Sequence, residues 1–389
     1  MASKITQRPI NVGVLFSQSG PTSTTEQSML GATLFAIDEV NEAGGINGRE
    51  LVPVCHDPGG DPVAYNLLAN RLLAEDGVKV IFGCYMSSSR KAVLRAVERH
   101  NGLLCYPAQY EGFEYSRNAI YCGAAPNQNS AKLGEFLLKD IGTRFYMVGS
   151  DYIWPRESDR IMSEMVSTQG GEVIGRGYLK LDAPAFDYQP LVSDIKRLQP
   201  DVVFCNFVGY AIVHFYQAFA EAGLDPARMP IASLTTSEAD IQAMGVGAAI
   251  GHITSATYFQ SQESVQNELC LERYRRKVGG DVVTNMCWEA AYFQVHIVAE
   301  ALRKCGTDKP DILRPAILGS EYDAPQGRVR IDPVNAHTHV WPKIGRVGTD
   351  GQFEIFAASQ AAIAPEPYQV SYYADEWETP LAAWQKGDA

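Results

Sequence analysis

The sequence predicts an α/β chain folded as two lobes, each a parallel sheet with helices on both faces. Three observations lead there. Apolar strand-like runs alternate with helix-like stretches along the whole chain, the pattern of parallel strands joined by crossover helices. The chain has 389 residues, too many for one ordinary core and suited to two domains of roughly 150–200 residues each. Between two such alternating blocks lies Cys122-Gly123-Ala124-Ala125-Pro126-Asn127-Gln128-Asn129, whose small residues and proline suit a strand crossing from one lobe to the other.

The expected strands cover residues 10–16, 50–56, 79–83, 103–106, 144–149, 172–178, 201–207, 230–233 and 252–256. Helices are expected over 28–41, 63–75, 89–100, 129–140 and 156–168. Their ends carry physical signals. Gly44 and Gly45 can take the left-handed cap that stops the first helix. Asp61-Pro62 supplies an N-cap followed by a proline at the first helical position. Ser87, Ser88 and Ser89 can cap the helix running from Arg90. Further crossings are placed near 256–260 and 330–333. The lobes are thus expected to be 1–124 plus 256–332 and 125–255 plus 333–389. No coiled coil, repeat or low-complexity stretch is visible.

Hydrophobic residues make up 46% and charged residues 20%, the balance of a soluble globular protein. No apolar run approaches the roughly 20 residues of a membrane span. The net charge of −12 argues against direct contact with nucleic acid or an anionic membrane. Residues 1–9 are polar, with no room for a secretory leader before the first strand. A cytoplasmic location is therefore expected; the alternative is a periplasmic or cell-surface chain whose signal has been removed. The eight cysteines include no CxxC pair. They read as small buried hydrophobes in a reducing compartment, and zinc is not expected.

In open α/β sheets ligands bind beyond the carboxyl ends of the strands. The segments there are Cys84-Tyr85-Met86-Ser87-Ser88-Ser89, Tyr106-Pro107-Ala108-Gln109-Tyr110-Glu111-Gly112, Asp151-Tyr152-Ile153-Trp154-Pro155-Arg156 and Asn206-Phe207-Val208-Gly209-Tyr210. Rings with a few hydroxyls and amides are the make-up of a small-ligand pocket. The serine run has two readings: a plain helix cap, or a helix N-terminus receiving a ligand oxygen. Asp151 either faces a ligand or braces its loop.

Enzyme motifs are absent: there is no GxSxG elbow, HExxH or Walker loop. His337-Thr338-His339 has a spacing that could hold a metal, but no acidic or thiol partners complete it, so a surface loop is expected. His56-Asp57 reads as a turn with a helix cap. No catalytic residue, cofactor or metal is expected.

The residues also match a known pattern. NVGVLFS (11–17) and NEAGGINGR (41–49) resemble the type I periplasmic binding fold of branched-chain amino-acid binding proteins. FGCYMSSSRKAV (82–93), LLCYPAQYEGFEYS (103–116), GAAPNQN (123–129), VGSDYIWPRES (148–158), SLTTSEA (233–239) and DAPQGRV (323–329) resemble the branch that senses short-chain amides and urea. That branch includes a cytoplasmic amide receptor restraining an amidase operon and the urea-binding subunit of a bacterial ABC transporter. The resemblance covers about residues 10–360.

It implies two Rossmann-like lobes joined by three hinge strands, and a non-catalytic receptor that closes on a small neutral amide-type ligand. Ser87 would bond the amide through its hydroxyl and backbone N–H. Tyr85 and Tyr106 would line the first lobe's pocket, with Pro107 beside the ligand. Tyr152 would close from the second lobe, and Trp154 and Phe207 would form the far wall. Ala108 stands where amide receptors carry a threonine, and with Gln109 it is closer to the urea-binding members; SLTTSEA is closer to the amide regulator. Closure would regulate a partner of amide metabolism, for which the resemblance implies an RNA-binding antiterminator. The alternative is a solute-binding subunit delivering urea or short amides to an ABC permease. Homo-oligomers stay open, and the tail Tyr372–Trp377 reads as a docking segment or as packing on a lobe.

Overall fold

The computed structural model describes residues 8–280 and 282–368; the tail segment 372–377 lies outside them. The first sheet is formed by β1 (Ile10–Leu15), β2 (Leu51–His56), β3 (Val80–Gly83), β4 (Leu103–Tyr106) and β5 (Ala119–Tyr121), with α1 (Ser23–Glu42), α2 (Pro62–Ala74) and α3 (Ser87–His100) between them. All its strands are parallel, in the order β2-β1-β3-β4-β5. Val80–Gly83 and Leu103–Tyr106 are buried at every position, so they read as unbroken apolar runs, as strands covered on both faces must.

The chain then crosses at 122–125 into α4 (Pro126–Asp140), β6 (Arg144–Ser150), α5 (Ile153–Thr168), β7 (Glu172–Leu179), α6 (Gln189–Leu198), β8 (Val202–Asn206), α7 (Tyr210–Glu221), β9 (Ile231–Ser233), α8 (Glu238–Met244), α9 (Val246–Ala249) and β10 (Ile253–Ala256). These parallel strands repeat the same winding, β7-β6-β8-β9-β10. The chain returns through α10 (Val265–Val278), α11 (Met286–Cys305) and α12 (Pro310–Ile317). Helix α11 lies along α1 through a ring cluster of Phe35, Tyr274, Trp288 and Tyr292, with Trp288 and Tyr292 stacked at 5.4 Å. A small antiparallel sheet follows: β11 (Glu321–Ala324), β12 (Gly327–Ile331) and β13 (Thr338–His339). Last, β14 (Lys343–Val347) and β15 (Phe353–Ala358) extend the second sheet antiparallel beside β10. The parallel-sheet α/β architecture in two lobes is the one the sequence predicts. No helix among the described residues is long and apolar enough to cross a membrane.

Several local expectations change. Asp61 caps α2 as expected, accepting from the Val63 N–H. The serine run does not cap α3: Met86 holds the N-cap position and Ser87–Ser89 form the first turn, because their hydroxyls are drawn elsewhere. Ser89 donates to the Met86 carbonyl at 2.7 Å. Helix α4 begins at Pro126, a proline at N1, so the crossing runs straight into it. The His337-Thr338-His339 segment is no surface loop. His337 and Thr338 are fully buried, His337 stacks on Tyr121 at 4.2 Å, and His339 pairs with Asp332 at 3.0 Å. No cluster of metal-ligating side chains exists among the described residues. All eight cysteines are free. Six are buried, while Cys55 is exposed and Cys305 partly so.

Lys343, at the start of β14, ties two segments together. Its ammonium donates to the carbonyls of Thr257, just after β10, at 2.9 Å and Trp341, just before β14, at 3.0 Å. Burial lowers its pKa to about 8. Gly123, on the first crossing, is another constraint: a Cβ there would lie 2.0 Å from the Ala108 carbonyl carbon.

The lobes touch through the loop after β1. The Tyr210 N–H donates to the Pro21 carbonyl at 3.1 Å. Gly209 makes this approach possible: its φ is +60°, and a Cβ would fall 2.1 Å from that carbonyl oxygen. Glu26, fully buried behind the loop, accepts from the Ser17 N–H at 2.7 Å, from the Thr22 hydroxyl at 2.7 Å and from the Tyr65 phenol. Burial outweighs those bonds and raises its pKa to about 7.

Two outcomes are expected. Gly209→Ala should lower the thermal midpoint and weaken ligand binding about ten-fold or more in calorimetry, because the positive φ is strained for alanine and its Cβ would meet the Pro21 carbonyl. Glu26 holds its proton in the fold to higher pH than in the unfolded chain. Its stabilisation is therefore full below about pH 4.5 and lost as pH rises to about 7, by up to roughly 3 kcal/mol. In urea unfolding across that window, wild type should lose stability relative to Glu26→Gln. Parallel pH profiles would remove Glu26 from this role.

Candidate functional site

The carboxyl ends of both sheets converge on one small enclosed space. From the first lobe come Tyr85 and Ser87 after β3 and Gln109 after β4. From the second come Tyr152 and Trp154 after β6, Val208 after β8 and Thr235 after β9. The cavity measures ≈ 10 Å³, on a scale where one buried water needs roughly 10–15 Å³. None of these side chains carries a charge. The polar groups facing it are two phenols, two hydroxyls and one carboxamide, against Trp154 and Val208 as apolar wall.

Each is held by the fold. Ser87 sits in the first turn of α3, where backbone N–H groups have no intrahelical acceptor. Its hydroxyl donates to Glu111 Oε2 at 2.5 Å and accepts from Arg90 at 3.0 Å. Gln109 reaches across the cleft to donate to the Leu234 carbonyl at 2.8 Å. The Thr235 hydroxyl donates to the Phe207 carbonyl at 2.8 Å. Tyr152 occupies the N-cap of α5 in an extended conformation, and Pro155 in the first turn of that helix costs no hydrogen bond. Burial pushes the phenols of Tyr85 and Tyr152 well above their ordinary range, so both remain neutral.

Behind the wall lies an ion cluster. Arg90, fully buried, bonds Glu111 at 3.0 Å and Glu114 at 2.7 Å. The rings of Tyr106 and Tyr110 lie against its guanidinium at 4.9 and 4.7 Å.

Of the residues expected at the site, Tyr85, Ser87, Tyr152 and Trp154 are brought together around the cavity. The others stand apart from its wall. Tyr106 is buried beneath, its phenol donating to the Tyr85 carbonyl at 2.6 Å. Pro107 lines an adjoining cavity of ≈ 10 Å³, which shares Gln109. Ala108 is buried with its backbone against Gly123. Phe207 packs into the second lobe on Tyr188 and Phe215. The reading missed Gln109, Val208 and Thr235. All three follow strand ends and lie in segments already singled out, Thr235 within SLTTSEA (233–239), so position after the strand was the available signal. Asp151 pairs with Arg156 at 2.7 Å outside the wall, and Asp57 braces a turn through the Gln18 and Gly59 N–H groups.

Residues 10–374 match the Periplasmic binding protein domain. Leu/Ile/Val-binding protein homolog 6 of Brucella melitensis is 23% identical over 338 residues, covering 84% of this chain and 85% of that protein. The leucine-, isoleucine-, valine-, threonine-, and alanine-binding protein of Pseudomonas aeruginosa is 23% identical over 332 residues, 83% of this chain and 86% of that one. Among solved structures, the solute binding protein of an ABC transporter from Rhodopseudomonas palustris BisB5, in complex with 3,4-dihydroxy benzoic acid, superposes with a TM-score of 0.82 at 23% identity, covering 92% of this chain and 99% of that chain. LivJ from Streptococcus pneumoniae, in complex with isoleucine, gives 0.79 at 16% identity over 90% and 99%.

The family match corrects the expected cytoplasmic location: a Periplasmic binding protein domain over residues 10–374 points to the periplasm. The polar start does not decide the matter, because an exported chain loses its apolar leader on maturation. Burial, rather than a reducing compartment, then accounts for most of the unpaired cysteines. The family match takes in both sheets and every segment that lines the cavity, and the chain therefore belongs to the periplasmic binding protein domain family.

Proposed function

We propose that this protein is a non-catalytic solute-binding protein of the ABC-transporter type, closing on a small neutral amide: a short aliphatic amide or urea. The observation that supports the reading is the small cavity between the strand ends of the two sheets, walled wholly by uncharged groups. A planar molecule of four heavy atoms needs more room than this water-sized space, so the surrounding rings must move apart to admit it. Isoleucine and hydroxybenzoates, bound by neighbours of the same fold, are about twice that size and carry a carboxylate that these walls do not neutralise. The chemistry also fits an amide. Its oxygen can accept from the backbone N–H groups opening α3, and its N–H groups can reach Ser87 and Gln109.

In this reading residues 1–124 plus 256–332 and 125–255 plus 333–389 act as the two closing bodies. A permease would distinguish the closed form by its ligand-dependent shape. Regulation through an antiterminator loses its support once the cytoplasmic location is set aside. The bonding of the Ser87 hydroxyl to Glu111 and Arg90 supports a binding rather than a nucleophilic role for it.

Calorimetry with acetamide, propionamide, butyramide, urea and leucine tests the proposal. Binding of one of the amides or urea, with none of leucine, is expected. Leucine bound in preference, or silence toward all five, would overturn it. Ammonia release that disappears in Ser87→Ala would overturn the non-catalytic part. Tyr152→Phe should weaken the preferred ligand by roughly 1 kcal/mol, the net value of one hydrogen bond. Unchanged affinity would remove its phenol from the ligand.

A further inference from the structure

A hydroxyl has one proton to give and two lone pairs to receive with. Ser87 has given its proton. It points at Glu111 Oε2, 2.5 Å away, and a carboxylate can only accept. One lone pair is taken by the Arg90 guanidinium at 3.0 Å, which can only donate. The same guanidinium bonds the other oxygen of Glu111 at 3.0 Å, so the three groups close a ring. Ser87 is 1% exposed, Arg90 0% and Glu111 4%, and no solvent competes to reorient the hydroxyl. What remains on the cavity side of Ser87 is one lone pair.

From this, resting on the amide reading above, we infer that Glu111 and Arg90 are specificity-determining positioning residues: they fix Ser87 as an acceptor, so the site takes a ligand that donates an N–H there and refuses a carboxylate oxygen. A carboxylate in the same place would set oxygen against an oxygen with no proton to offer, and the Arg90 charge behind that hydroxyl is already taken up by Glu111 and Glu114. A primary amide and its carboxylate analogue have nearly the same shape, so hydroxyl polarity rather than size separates them. Glu114, which also holds Arg90 at 2.7 Å, keeps the guanidinium fork turned toward Ser87 and Glu111.

The test uses the isosteric pair acetamide and acetate, with urea as a second donor ligand, on the whole purified chain. Wild type should bind acetamide or urea at least ten-fold more tightly than acetate. Glu111→Gln can return a proton to the Ser87 hydroxyl by offering an N–H in place of an oxygen, and the acetamide-to-acetate ratio should fall several-fold. If that variant does not fold, Ser87→Ala carries the question, because it leaves the ion pair intact. It should weaken acetamide about ten-fold and leave acetate within two-fold of wild type. Three results would overturn the inference: acetate matching acetamide in wild type, a ratio unchanged in folded Glu111→Gln, or equal loss of both ligands in Ser87→Ala. Absence of any amide or urea binding in wild type would overturn the parent reading along with it, and so is distinct from the other failures.

Discussion

Arg90 carries a guanidinium into a place where water does not reach, and much of the first lobe's cleft is arranged around that fact. A buried charge is tolerable only when paired and hydrogen-bonded. Glu111 and Glu114 supply the pairs, Tyr106 and Tyr110 supply ring faces, and Ser87 supplies an acceptor. The segment 106–114 is therefore held against the first turn of α3 by electrostatics as much as by packing. Lys91 adds to it from the half-exposed side, 2.9 Å from Glu114. Removing one member would strand the rest.

The second constraint is the narrowness of the gap. Gln109 crosses it to reach the Leu234 carbonyl, and Tyr210 meets Pro21 only because Gly209 lacks a side chain. One contact is a side-chain amide on a backbone carbonyl and the other is backbone to backbone, so both are directional hydrogen bonds rather than apolar packing. Elsewhere the Lys343 ammonium gathers the carbonyls of Thr257 and Trp341, so the segments on either side of it are also joined by directional polar bonds.

The alternation of apolar runs with helices made the parallel sheets legible, because strands buried on both faces leave an uninterrupted apolar signature. The mouth segments were legible by the same logic, since the strand ends could be counted. The choice of residues within those segments was not. Tyr106 and Phe207 are large rings at strand ends, just as Tyr85 and Trp154 are, and nothing in the pattern says which will turn toward the cleft and which toward Arg90 or Phe215. Nor does a serine at a helix start reveal that a glutamate 24 residues on will accept its hydroxyl's hydrogen bond. The β11–β15 segments also escaped notice: short, partly exposed antiparallel strands such as Glu321–Ala324 give weak periodicity. Residues 1–9 misled on location because a polar start fits a cytoplasmic chain and a processed one equally.

The ligand proposed for the cavity would carry its own ceiling on affinity. The best small ligands gain at most about 1.5 kcal/mol per heavy atom. A four-atom amide or urea would therefore be held by no more than about 6 kcal/mol, a dissociation constant of roughly 40 μM. Such a protein would be half empty at nutrient levels that saturate a collector of larger solutes. Effective capture would then depend on abundance, with many copies each loading briefly, and the fast release that accompanies modest affinity would suit rapid hand-over to whatever receives the cargo.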